Sequence, residues 1–213
     1  MSLNLVDNTT WISNHVERHI GEISSVYHEL SGDNHHLDIL IVNPSEVNPF
    51  YSVVTCGMSN LPRRMPEGYE EFAHAELMFC LPADWPMNNL NPKDLDTFWP
   101  IGWLRYLGLF PHRYNTWLGW GHTIPNGDPP APLASNTRLS GMLIASPILF
   151  EENFRVIDRG RELPITILSV LPIYPEEMDF KLKFGTDSLL EKFNTIQMNE
   201  LIQISRVNAC AEQ

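Results

Sequence analysis

The carboxylate best placed to do chemistry is Glu76, a lone acid inside the apolar run AHAELMFCLP. An extended chain alternates its side chains, so Ala75, Leu77, Phe79 and Leu81 fall on one face and Glu76, Met78 and Cys80 on the other. On a partly covered face desolvation would raise its pKa and suit it to general-base work. The commoner fate of such an acid is to accept structural hydrogen bonds, and that is the role expected here. His28, His35, His36 and Asp38 gather around one predicted turn and offer imidazole and carboxylate, ligands suited to zinc or iron. Adjacent His35 and His36 point to opposite sides of an extended chain, so the turn is expected to be solvated and metal-free. His122 and Asp128 flank the loop HTIPNGDPPAP, with Ser140 beyond it. They make a Ser-His-Asp triad on paper only, because no GxSxG elbow accompanies them.

P-loop, GxGxxG and HExxH patterns are also missing. A small hydrolase or metal-dependent enzyme using Glu76, His122 and Asp128 is therefore the alternative reading, and no cofactor is expected. Cys56, Cys80 and Cys210 are odd in number, far apart and without a CxxC pair, so all three are expected to be reduced thiols.

The elements that must position these residues can be read from the apolar patterning. The 213 residues are 43% hydrophobic and 19% charged, enough for a core in a single domain spanning 1–213, its centre at about 25–195. Ile12, Val16, Ile20 and Ile23 recur at helical spacing, with cap oxygens from Asp7 to Thr10 and a stop at Gly21. Strands are predicted over 24–30, 37–43, 50–55 and 73–81, with a tight turn at SGDN (31–34) and polar loops at 43–49 and 61–71. From Asp94 the pattern turns helical, with Pro100 at a break or in a first turn. Trp99, Trp103, Tyr106, Leu107 and Phe110 then share one face. Strand material at Trp117 leads into the proline-rich loop, SGMLIASP returns as a strand, and 154–158 and 165–171 form a hairpin around RGRE. Pro175, Glu176 and Glu177 open a helix that Gly185 ends, a last helix covers 187–193, and a polar tail follows. Strands before and after a central helix, without regular βαβ alternation, predict an α+β fold with a layered mixed or antiparallel sheet flanked by helices.

Net charge is −12, and residues 1–62 hold seven acids against the single base Arg18. Such a surface repels phosphate backbones and steers basic proteins, so a protein partner is expected and nucleic acid is not. No apolar run reaches the length of a membrane span and no signal-peptide pattern opens the chain, so a cytoplasmic location is expected.

Four landmarks, in order, resemble the suppressor of fused family. They are TCGMSNL (Thr55 to Leu61), AELMFCL (Ala75 to Leu81), the helical stretch Trp99 to Phe110 followed by Gly121-His122, and ITILSVLPIYPEEM (Ile165 to Met178). The resemblance implies the family's N-terminal domain and a protein-binding module without catalysis. Animal members add a second domain and clamp a strand of a transcription-factor partner between the two. Val53 stands where the family has an aromatic residue and Asn60 where it has Asp, and both positions lie near the ligand contacts expected in the animal protein. Bacterial single-domain members resemble immunity proteins, and this implies a toxin-neutralising role with a basic toxin domain as partner. Partner contacts are expected from Ser59, Asn60, Trp117, Trp120, His122 and Asp128, where the family turn and the tryptophan loop present polar and aromatic groups.

Overall fold

Five of the sheet's strands bury apolar side chains on both faces, and this decides the architecture: they must be covered on both sides. The computed structural model describes residues 7–28 and 36–211. Helix α1 (Thr9–His19) leads to strands β1 (Ile23–Tyr27), β2 (Asp38–Val42), β3 (Phe50–Cys56) and β4 (His74–Pro82). Helix α2 (Leu95–Arg113) follows, then β5 (Thr123–Pro125), β6 (Gly141–Ala145), β7 (Val156–Ile157) and β8 (Ile165–Ile173). Helices α3 (Pro175–Phe184) and α4 (Thr186–Thr195) complete the order. The strands form one mixed sheet, β1-β2-β3-β4-β8-β6-β5, with β7 pairing β8. All pairs are antiparallel except β4 with β8, which run parallel. This is the expected α+β layered sheet, with a helical layer on each face.

The alternation predicted for β4 holds. Ala75, Leu77, Phe79 and Leu81 join the core under α2, with Ile101, Leu104 and Leu107. Met78 and Cys80 join the opposite core with Ile12, Val16 and Phe154. Further along that second face, Leu143, Leu171 and Ile173 pack against Met178, Leu189 and Phe193 of α3 and α4. Gly108 lets α2 approach the sheet, since a Cβ there would lie 2.8 Å from a Leu37 methyl.

Several expectations change. Helix α2 runs unbroken through Pro100 and Pro111. Proline removes the N–H that would bond the Asp96 carbonyl, and the Asn136 side-chain amide donates to that carbonyl instead, at 3.0 Å. The buried face of α2 centres on Ile101, Leu104 and Leu107. Trp103, Tyr106 and Phe110 form a separate half-exposed row of edge-on rings. Residues 117–120 are not a strand, and β1 stops at Tyr27; residues 29–35, with the expected SGDN turn and His35, lie outside the described residues. The polar tail is wired in. Leu201 bridges to Cys80 beside the far half of β4, which β8 does not reach. Arg206 donates to the buried Glu177 carboxylate and to the Pro172 carbonyl. No helix among the described residues is long and apolar enough to cross a membrane.

Candidate functional site

Glu76 is wholly buried, and its carboxylate accepts hydrogen bonds from the end of β3 and from the turn that follows it. Thr55 Oγ donates to one carboxylate oxygen at 2.6 Å. The other oxygen accepts from the N–H groups of Gly57 and Ser59 and from Ser59 Oγ, at 3.1, 2.9 and 2.7 Å. Gly57 sits at φ 120°, and a Cβ there would fall 2.5 Å from the His36 carbonyl, so the turn requires glycine. Burial raises the pKa of Glu76, and these four donors oppose the rise. An acid whose oxygens are spent on scaffold donors, with no exposed surface, is a structural acceptor.

The same turn binds the rest of the scaffold. Asn8 donates to the Ser59 carbonyl at 2.8 Å, and its backbone N–H donates to Asn60 Oδ1 at 2.9 Å. His74 Nδ1 lies 2.7 Å from the Ser59 carbonyl, and His112 Nε2 lies 2.9 Å from that of Met58. Ser59 is thus interior, and Asn60 is half-buried with its amide oxygen engaged. Ser59 has no exposed surface, and Asn60 keeps part of its own.

The exposed features lie one loop further on. A groove of about 340 Å³ opens between residues 63–72, the loop 117–120 and the first half of β8. Tyr69 (55% exposed), Phe72 (42%) and Trp120 (46%) form its walls, with Trp117 and Leu168 deeper. Arg63, nearly fully buried, ties the two loops together. It donates to the carbonyls of Phe72 and Ala73 on one side and of Leu118 on the other. Burial pushes its pKa down to about 10, and the field of Glu76 works against that fall. No carboxylate among the described residues forms an ion pair with it. The groove therefore presents aromatic faces around a cation held by neutral carbonyls.

His122 packs on the Trp117 ring, centroids 4.2 Å apart, and partial burial lowers its pKa, with Lys181 and Arg63 contributing. Asp128 is exposed in the turn beyond β5. Strand β5 stands three places from β4 in the sheet, about 14 Å, so Asp128 and Glu76 do not share a site. The residues lining the groove include no carboxylate, imidazole or thiol. A hydroxyl from Ser146 and one from Thr166 are present without a base to activate either.

Arg63, Tyr69 and Phe72 were not singled out by the sequence. The segment LPRRMPEGYEEF is polar and proline-bounded and reads as an ordinary surface loop. The available signal was two aromatic residues among charges, close to a double arginine.

The family model described as Suppressor of fused protein (SUFU) matches residues 33–207. Among curated proteins none matches the sequence. The fold is similar to that of a putative SUFU homologue from Neisseria gonorrhoeae, with a TM-score of 0.69 and 16% identity over 96% of this chain and 98% of that one. It is also similar to a chain of a Sufu–Fu complex, with a TM-score of 0.65 and 13% identity over 95% and 92%. Drosophila Suppressor of Fused gives a TM-score of 0.64 at 12% identity, covering 95% of this chain and 50% of that protein.

Proposed function

The chain belongs to the suppressor of fused family, and from that premise we propose that it works by binding another protein, with the aromatic groove around Arg63 as the contact. The observation that carries this reading is the pairing of three exposed aromatic walls with a buried guanidinium, in a groove without acid–base machinery. Tyr, Trp and Arg are the residue types that anchor protein interfaces. A segment that lays an apolar side chain between Tyr69, Phe72 and Trp120 would place its backbone carbonyl or a carboxylate within reach of Arg63. Trp117 and His122 support the rim, whereas Asp128 lies on the turn beyond β5, at the opposite end of β6 from Ser146.

The finer reading is a cytoplasmic immunity protein that neutralises a basic toxin domain. A net charge of −12 supports it, because an acidic surface speeds encounter with a basic partner. The relative solved with Fu is an instance of a related chain in a protein complex. The decisive experiment co-expresses the chain with toxin domains encoded beside its gene and scores survival of the host. Survival with the wild type, and death with a folded Trp120→Ala/Tyr69→Ala variant, is the expected result. Equal protection by both would remove the groove from the interface, and protection by neither would remove the toxin reading.

A further inference from the structure

Where β1 ends and β2 begins, three side chains converge. Tyr27 pairs with Ile39, so the next antiparallel position sets His28 opposite Asp38. His36 stands two residues before Asp38, and the period of two puts it on the same face. This is the alternate-position spacing that a strand-borne metal site uses, and adjacency to His35 has no bearing on it. His28 Nδ1 and His36 Nε2 each lie 3.0 Å from one oxygen of Asp38. All the ligand atoms fall within 4.8 Å of one another. Asp38 is 16% exposed and anchored in β2, whereas the imidazoles are 60% and 67% exposed and free to adjust. No lysine or arginine among the described residues pairs with Asp38.

We propose that His28, His36 and Asp38 form a three-ligand site for a divalent transition metal, zinc first, with the remaining position open to water. Two imidazoles and a carboxylate suit zinc and exclude the oxygen-seeking magnesium and calcium. With metal–ligand bonds of about 2.0–2.2 Å, a tetrahedral site needs ligand atoms about 3.4 Å apart. The two N···O separations must open by about 0.4 Å to admit the ion, a movement that exposed rings make by small χ rotations. The ion replaces the protons that otherwise bridge each imidazole to the carboxylate. It ties strand β1 to β2 where the edge of the sheet has no further neighbour.

The test uses untagged full-length protein stripped with chelator. It is titrated with zinc against a chromophoric competitor, and with cobalt followed by visible absorption. One equivalent per chain is expected, with the strong bands of four-coordinate cobalt. His28→Ala and His36→Ala should each weaken zinc by more than about 10-fold, while His19→Ala leaves it unchanged. Zinc at about a hundredfold over its Kd should raise the melting midpoint by ~5–10 °C in the wild type alone. Both variants should melt like the wild type in chelator, since the rings they remove are exposed. Failure of the wild type to bind zinc or cobalt stoichiometrically would overturn the site. So would unchanged affinity in the His28→Ala/His36→Ala double variant, leaving the cluster as a hydrogen-bonded hairpin end.

Discussion

Glu76 is one carboxylate with four donors, and its removal strands all of them at once. Glu76→Ala should destabilise the fold by about 3–5 kcal/mol, read by chemical denaturation, because buried donors left without an acceptor keep their desolvation cost. A loss below 1 kcal/mol would mean that water reaches the turn. The buried and half-buried imidazoles give a second prediction. Desolvation is the largest cause lowering the pKa of His15, His74 and His122 below 6.5. Between those folded values and 6.5 the unfolded chain binds more protons, so stability is full above pH 6.5 and falls as pH drops through that window. Glu76 and Glu200, raised chiefly by burial, act in the opposite sense and favour folding as pH falls towards 4.5. His15→Gln removes one titrating group yet keeps an amide N–H for the Phe154 carbonyl, which His15 Nε2 meets at 2.9 Å. Its denaturation midpoint should decline less steeply below pH 6.5 than that of the wild type, and an equal slope would place the titration elsewhere. The sequence made the alternation around Glu76 readable because period two is a local rule. It did not reveal the carboxylate's partners, because the turn that supplies them lies about 20 residues away and joins it only through β3–β4 pairing.

Strand β4 is the centre of the sheet, and both of its faces are core. Phe79→Ala should cost about 3–5 kcal/mol, measured as a fall in denaturation midpoint, since Phe79 is almost fully buried under α2. A shift of only a degree or two would contradict that packing. The strongly patterned elements, β2, β3, β4, β8, α1 and α3, were legible from hydrophobic period and turn residues alone. Helix α2 was legible in extent and misread in detail. Local rules treat Pro100 as a breaker, and the amide that satisfies the freed carbonyl comes from Asn136, remote in sequence. Its aromatic residues fit one face of a helical wheel only loosely, so the pattern alone does not separate the two rows. The small residue Gly108 decides the approach to the sheet and so fixes which row is buried. The groove was half legible: Trp117 and Trp120 stood out, and Arg63 did not. A buried arginine bonded to three carbonyls leaves no periodic trace.

For the whole molecule, charge and topology make separate demands. If the partner is basic, association should slow as salt rises towards physiological strength, where the Debye length is about 8 Å. The acids of the first 62 residues, among them Glu22, Glu29, Asp33 and Asp38, should set much of that rate; Glu29 and Asp33 lie outside the described residues. Replacing Glu22, Glu29 and Asp33 by their amides should lower the on-rate with little change in off-rate, in stopped-flow measurements against the partner. A salt-independent on-rate would reduce the charge to a solubility device. Topology bears on synthesis. Strand β4 obtains its parallel neighbour only when β8 is made, and the far half obtains its last hydrogen bonds from residues 200 and 202. Cys80 donates to the Glu200 carbonyl and accepts from the Ile202 N–H, while the Glu200 carboxylate takes the N–H groups of Ile148 and Leu149. On a ribosome adding ~5–20 residues per second, β4 therefore waits many seconds for ~120 further residues to emerge, an apolar strand without its closing partner. Nascent chains stalled before residue 200 should remain open to protease and chaperone, and should snap into resistance once the Arg206–Glu177 lock clears the exit tunnel.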